Sequence, residues 1–276
     1  DAGLASDTQT VSNLGSGGPE LNARLGSSTG ADANDPKWLA HPGDNGGNYV
    51  YLPGVAGNYL SVPDAAALDI TGDLDLRVRV AMDDWTDANN PGLIGKFTSS
   101  GNQISYSLRI LSSGILRFAW STTGAAATAV SRDSTAAVPF TDGSTGWVRA
   151  TLDVDNGASG HDVKFYTSDD SVTWTQLGST VTTAGTTSVF AGTAVLQVGL
   201  LDTSAALTGK VYRAQVLDGI NGTPVLDVDC SQVGSGSATS FTALTGQTVT
   251  VNRSTSGRKS TAVTHPLWLF GTDDYL

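Results

Sequence analysis

The chain has 276 residues, only 15% of them charged, with a formal net charge of −11 at neutral pH and a sequence pI near 4.4. That acidic balance leaves no basic stripe for a phosphate backbone and repels anionic headgroups, and no apolar run approaches the ~20 residues that cross a bilayer, so neither nucleic acid nor membrane is expected as a partner. With 33 glycines and abundant Ser and Thr, the composition suits many short strands joined by tight turns, in one main domain with flanking pieces.

No Met opens the sequence and no basic-then-apolar leader follows, which reads as a fragment, a processed product or the ordered part of something longer. Residues 1–47 contain Leu14-Gly-Ser-Gly-Gly-Pro19 and Leu25-Gly-Ser-Ser-Thr-Gly30 with Trp38 as the one large anchor, a pattern expected of a Gly/Ser-rich arm or edge ribbon. Asn48 to Leu52 alternates loosely, and Leu52-Pro-Gly-Val-Ala-Gly57 turns the chain into Tyr59-Leu-Ser-Val-Pro-Asp64. From Asp73 to Val80, polar Asp73, Asp75, Arg77 and Arg79 alternate with apolar Leu74, Leu76, Val78 and Val80, which predicts a strand with one face on a core and the other in water.

The Tyr59–Asp64 segment followed by this strand resembles the opening of concanavalin A-like, laminin G-like jelly rolls, and the resemblance extends through Leu226. With Val80-Ala-Met-Asp-Asp-Trp85 added, it is most similar to minor tail proteins of tailed phages that infect actinobacteria. The resemblance implies an all-β antiparallel β-sandwich over 48–226. It also implies a place in the virion tail, with other tail proteins, copies of itself or host cell-wall glycan as partners.

Asp83 to Pro91 is too polar for a strand and predicts an exposed loop at one end of the sandwich. Within it Trp85 reads as an exposed aromatic on which a sugar ring could stack, beside Asp84 and Asn90 as hydroxyl partners, although an indole capping the end of the core is the commoner role. Asp83, Asp84 and Asp87 form the densest acidic loop. The resemblance implies that a single rim calcium could sit there, but the spacing is not that of an EF-hand and a solvated loop is the favoured reading.

Tyr106, Leu108 and Ile110 share one face of a predicted strand, as do Leu116, Phe118 and Trp120, with Ser112-Ser-Gly114 as the hairpin loop between them. Val148, Ala150 and Leu152 mark another strand, which turns through Asp155-Asn-Gly-Ala-Ser-Gly160 to Val163–Thr167. Val172–Leu177, Val195–Leu201 and Val211–Leu217 complete a count of roughly ten to twelve strands, the number of a jelly roll. Thr167-Ser-Asp-Asp-Ser-Val-Thr-Trp174 fits an Asp-box, in which the aspartate accepts backbone hydrogen bonds across a turn and the Trp packs beneath; its role is structural. Cys230, alone, reads as a small core thiol. After residue 226 a C-terminal segment ends in Asp274-Tyr-Leu276, which echoes Asn58-Tyr-Leu60 and suggests the entrance of a second sandwich.

Catalysis finds no support. Glycoside cleavage generally needs two carboxyls about 5 to 10 Å apart, and the chain's one glutamate, Glu20, lies in the Gly-rich arm. Asp153 and Asp155 are better explained as turn caps. His41, His161 and His265 lack ligand spacing or a neighbouring nucleophile and read as loop residues. The expected function is therefore non-enzymatic adhesion in a virion, without a required cofactor. The alternative is an extracellular carbohydrate-binding module of a secreted actinobacterial protein.

Overall fold

The computed structural model describes residues 10–11, 23–24, 48–203, 205–255 and 257–264. Two antiparallel sheets face each other, as the alternating patterns require. The larger has nine strands and runs Thr175–Gln176, Gly160–Ser168, Thr145–Asp153, Leu74–Met82, Thr208–Asp218, Tyr49–Pro53, Thr261–Val263. Val181–Ala184 joins it on Gly160–Ser168, and Thr223–Asp229 joins it on Thr208–Asp218. The eight-stranded sheet runs Ser240–Thr242, Thr248–Asn252, Tyr59–Val62, Leu196–Val198, Gly92–Thr98, Gln103–Ile110, Ile115–Ser121, Ala129–Ala137. Every pairing is antiparallel and neighbours in space are often distant in sequence, which is the jelly-roll β-sandwich expected. Among the described residues helix is confined to single 3-10 turns, and no helix is long and apolar enough to cross a membrane.

Register explains the core. Leu76 lies opposite Ala150 and Val216, and Val78 opposite Val148 and Ala214, so the inward positions of three strands form continuous apolar rows. Across the sandwich, Tyr106 pairs with Trp120 and Leu108 with Phe118. All of these are buried in one cluster. Each large side chain taken from water there contributes about 1.5–3 kcal/mol.

The sandwich continues past Leu226, the end expected from sequence. Thr248–Asn252 pairs with Tyr59–Val62 and Thr261–Val263 pairs with Tyr49–Pro53, so both close the sheets through partners some 190 and 210 residues earlier; the compact unit spans Gly47–Thr264. Residues 227–263 are therefore part of the first sandwich. The echo at Asp274–Leu276 lies outside the described residues, as does most of the expected arm, of which Thr10–Val11 and Ala23–Arg24 form a two-stranded pair. Two predicted strands shrink: Val172–Leu177 to Thr175–Gln176, because the Asp-box turn occupies its start, and Val195–Leu201 to Leu196–Val198 and Leu200–Leu201, broken at Gly199 with φ of 81°. Cys230 is fully buried, as expected, and burial pushes its thiol up to about 12.

Candidate functional site

The loop between Met82 and Gly92 is where sequence placed a sugar-contacting patch, and its side chains are committed elsewhere. Trp85 is 2% exposed, not an exposed platform. Its ring lies 4.8 Å from that of Phe140, its indole N–H donates to the Ser144 carbonyl, and its backbone N–H donates to Asp142. The correction has a plain cause: segment 140–144, some 55 residues later, folds over it. Asp84 caps its own turn by accepting from the Thr86 hydroxyl and N–H at 2.8 and 2.7 Å, which holds its pKa below the ordinary value. Asn90, at φ of 51°, accepts from Ser112 N–H at 2.9 Å and donates to the Ala88 carbonyl, so both ends of its amide fasten the loop.

The three aspartates named for calcium are likewise dispersed. Asp83 accepts from the Tyr51 hydroxyl at 2.7 Å and Asp87 from Asn89, and among the described residues no group of three acidic, His or Cys side chains gathers in metal-binding geometry. His161, read as a loop residue, sits 6% exposed in strand Gly160–Ser168. Its Nδ1–H donates to the Gly185 carbonyl at 2.7 Å and its ring meets Trp120 edge-on. His41 and His265 lie outside the described residues.

The Asp-box forms as its spacing predicts. Asp170 accepts from Thr173 N–H at 2.7 Å, Val172 N–H at 2.8 Å and the Ser168 hydroxyl, and these bonds lower its carboxyl to about 2. Beside the turn is a cleft of about 320 Å³ lined by Phe140, Thr167, Asp169 and Thr175 among others. The turn also lays Trp174 over the outward face of the nine-stranded sheet. There Asp75, read as water-facing, is fully buried between Arg77 and Arg149, with the two guanidinium groups 5.5 and 5.3 Å from the Trp174 ring. Asn221 completes the cluster through its N–H to Asp75. Both oxygens of Asp75 are thereby held.

The outward face of the eight-stranded sheet is different. Gln197 lies opposite Gly95, and Gly95 opposite Ser107; Arg109, two residues beyond Ser107, lies opposite Arg117. Their neighbours Leu196, Val198, Tyr106, Leu108 and Ile110 point into the core, which turns these side chains outward. Gly95, itself buried, lets its strand approach the Ser107 strand closely, and a Cβ there would meet that of Ser107 at 2.8 Å. Along one rim, the Leu200–Ala206 hairpin rests on Gly92, where a Cβ would meet the Leu200 carbonyl at 2.7 Å. Gln197 donates its amide to the Asp202 carbonyl of that hairpin at 3.1 Å, which fixes Oε1 as the free end.

Three atoms on this face are buried without a hydrogen-bond partner: Ser107 Oγ, Gln197 Oε1 and Arg109 Nε. The charge is also unbalanced. Arg117 holds Asp133 through two bonds of 2.6 and 2.7 Å, leaving Arg109 beside a second guanidinium. Burial, then Arg117, pushes Arg109 below its ordinary pKa while Asp133 pulls it up. Sequence reading missed the face because Ser and Gln are common; the signal available was Gly95 at an outward position between two strands.

No protein-family profile matches the sequence, and a search of curated proteins gives no match. Among solved structures, a heptameric SAP-like pentraxin from Limulus polyphemus aligns at TM-score 0.43 and 13% identity, over 64% of this chain and 78% of that one. The IT-sialidase CBM40 of Ruminococcus gnavus, bound to α2,3-sialyllactose, gives 0.43 and 15% over 61% and 91%. The botulinum neurotoxin type G receptor-binding domain gives 0.36 and 10% over 63% and 42%. At these scores the likeness bears on neither ligand nor partner, and the β-sandwich stands on its own strand pairing.

Proposed function

We propose that this chain is a non-enzymatic virion protein of an actinobacteria-infecting phage, a minor-tail structural and adhesion module that works by contact. Its partners are other tail proteins, copies of itself and host cell-wall glycan. The sequence resemblance over Tyr59–Trp85 supports the tail assignment. The observation that carries the binding role is the run of unpartnered polar atoms on the outward face of the eight-stranded sheet, since buried groups of this kind are rare unless something else meets them. A sandwich with its loops fastened by their own carboxylates presents such a face with little reorganisation.

The same face serves the second reading, a carbohydrate-binding module of a secreted actinobacterial protein. Mass spectrometry of purified virions separates them: the tail reading expects peptides of this chain in proportion to known tail components. Their absence from virions, with the chain recovered from culture medium, overturns it. On either reading, incubation with arabinogalactan or β-glucan produces no new reducing ends; their appearance refutes the non-enzymatic reading.

A further inference from the structure

We infer that the outward face of the eight-stranded sheet is built for a carboxylate-bearing saccharide, with Arg109 taking the carboxylate and Gln197 Oε1 and Ser107, on either side of Gly95, taking hydroxyls. This deepens the glycan-binding reading above and rests on it.

The chemistry follows from the three free atoms. Gln197 Oε1 is an acceptor whose amide nitrogen is already used, so it calls for a donor such as a sugar hydroxyl. Arg109 Nε is a cationic donor and calls for an acceptor. Ser107 Oγ satisfies either. A neutral sugar answers the first and leaves the second; a small inorganic anion does the reverse. A hydroxylated acid answers both.

Charge sharpens the choice. Like charges directly opposite on neighbouring strands are unfavourable, and Arg109 faces Arg117 while Asp133 is held by Arg117. An arriving carboxylate gives this row its missing counter-charge, on a chain whose net charge of −11 otherwise repels anions. Ser107 is 1% exposed whereas Arg109, two residues along on the same face, is partly exposed, so an arriving anion meets Arg109 first.

The test is calorimetric titration of the 276-residue chain with galacturonate, glucuronate and N-acetylneuraminate oligosaccharides, each beside the neutral oligosaccharide lacking the carboxyl. At least one acid binds more tightly than its neutral counterpart, and Arg109→Gln weakens it about tenfold or more, the loss expected for one charge-assisted hydrogen bond. Gln197→Glu, which sets a carboxylate against the ligand, weakens it as well, whereas exposed Lys259→Gln leaves it unchanged. Galacturonic acid competes where the same concentration of acetate or galactose does not. Arg109→Gln relieves the Arg109–Arg117 contact, so its unfolding midpoint holds or rises, which a purely structural arginine does not allow.

Equal binding of acid and neutral sugars, or an unaffected Arg109→Gln, overturns this inference while glycan binding stands. Binding confined to small anions, acetate included, overturns it in favour of a simple anion site. No binding of any saccharide overturns it together with the glycan role, and leaves the tail assignment to the virion measurement.

Discussion

The buried cation at Lys96 gives the sharpest test of how this sandwich is held. Lys96 is 0% exposed on strand Gly92–Thr98, and its ammonium meets Asp64 at 2.7 Å and Asp69 at closer range, both from the loop after Tyr59–Val62. The two carboxylates are 33% and 32% exposed, so the pair is sealed on the lysine side and wet on the aspartate side. The asymmetry sets the outcome. Asp64→Asn with Asp69→Asn strands the ammonium with no counter-charge and no water, at a cost of about 3–5 kcal/mol. For a unit of this size that lowers Tm by about 6–20 °C.

Lys96→Met fills similar volume and leaves two aspartates that can rehydrate, so it costs less, about 0–2 kcal/mol. Each single Asp→Asn change keeps one carboxylate on the ammonium, and the double variant costs more than the two singles added, with a coupling of about 1 kcal/mol or more. Urea unfolding at pH 7 with a common slope reads all four variants. A double variant within about 1 kcal/mol of the parent, or Lys96→Met costing more than the double, refutes the reasoning.

Trp85→Ala removes a ring held between Phe140 and the Ser144 carbonyl and lowers stability by about 3–5 kcal/mol, leaving saccharide titrations of the folded protein unchanged; loss of binding with stability intact returns Trp85 to sugar stacking, the less favoured of the two roles weighed from sequence. The Cys230 thiol, pushed up to about 12, stays unlabelled by a thiol reagent at pH 8 in native buffer and reacts in denaturant, so rapid native labelling contradicts its burial. The Asp170 carboxyl, lowered by bonds from Thr173, Val172 and Ser168, titrates near 2 by NMR. Because the folded value lies below the ordinary one near 3.9, its stabilising effect is full above about pH 4 and drains as pH falls through about 2; a midpoint near 4 dismisses the Asp-box geometry.

What could be read from sequence was what repeats locally. Leu74 to Val80 shows its core face through a period of two, and the Asp-box shows its turn through the spacing of Ser168, Asp170 and Trp174, because both depend on residues within one strand or hairpin. What could not be read depends on partners far along the chain. Lys96 looks like any outward lysine until the loop bearing Asp64 and Asp69 is laid beside it, and Trp85 looks exposed among aspartates until segment 140–144 covers it. Asp75 belongs to an alternating strand that predicts contact with water. Its burial comes from Arg149, Asn221 and the roof of Trp174, from three other parts of the chain. The strands after Leu226 are short and rich in Thr, and only pairing with Tyr59–Val62 and Tyr49–Pro53 identifies them as part of the same body.

The two outward faces then differ in a way that bears on function. On the nine-stranded sheet, two arginines share Asp75, and Asn221 and Trp174 close over them, so the buried carboxylate finds its partners within the chain. On the eight-stranded sheet, Arg117 alone holds Asp133, no side chain plays the part of Asn221 for the Nε of Arg109, and the Oγ of Ser107 and Oε1 of Gln197 are likewise buried without a hydrogen-bond partner. Each orphaned buried group costs about 1–3 kcal/mol, against net stabilities of about 5–15 kcal/mol for whole domains. A chain able to complete one such cluster has the means to complete the other. Three buried groups without partners on a single face are the observation on which the proposed saccharide contact rests, and they lie on this face and not in the acidic loop at Trp85.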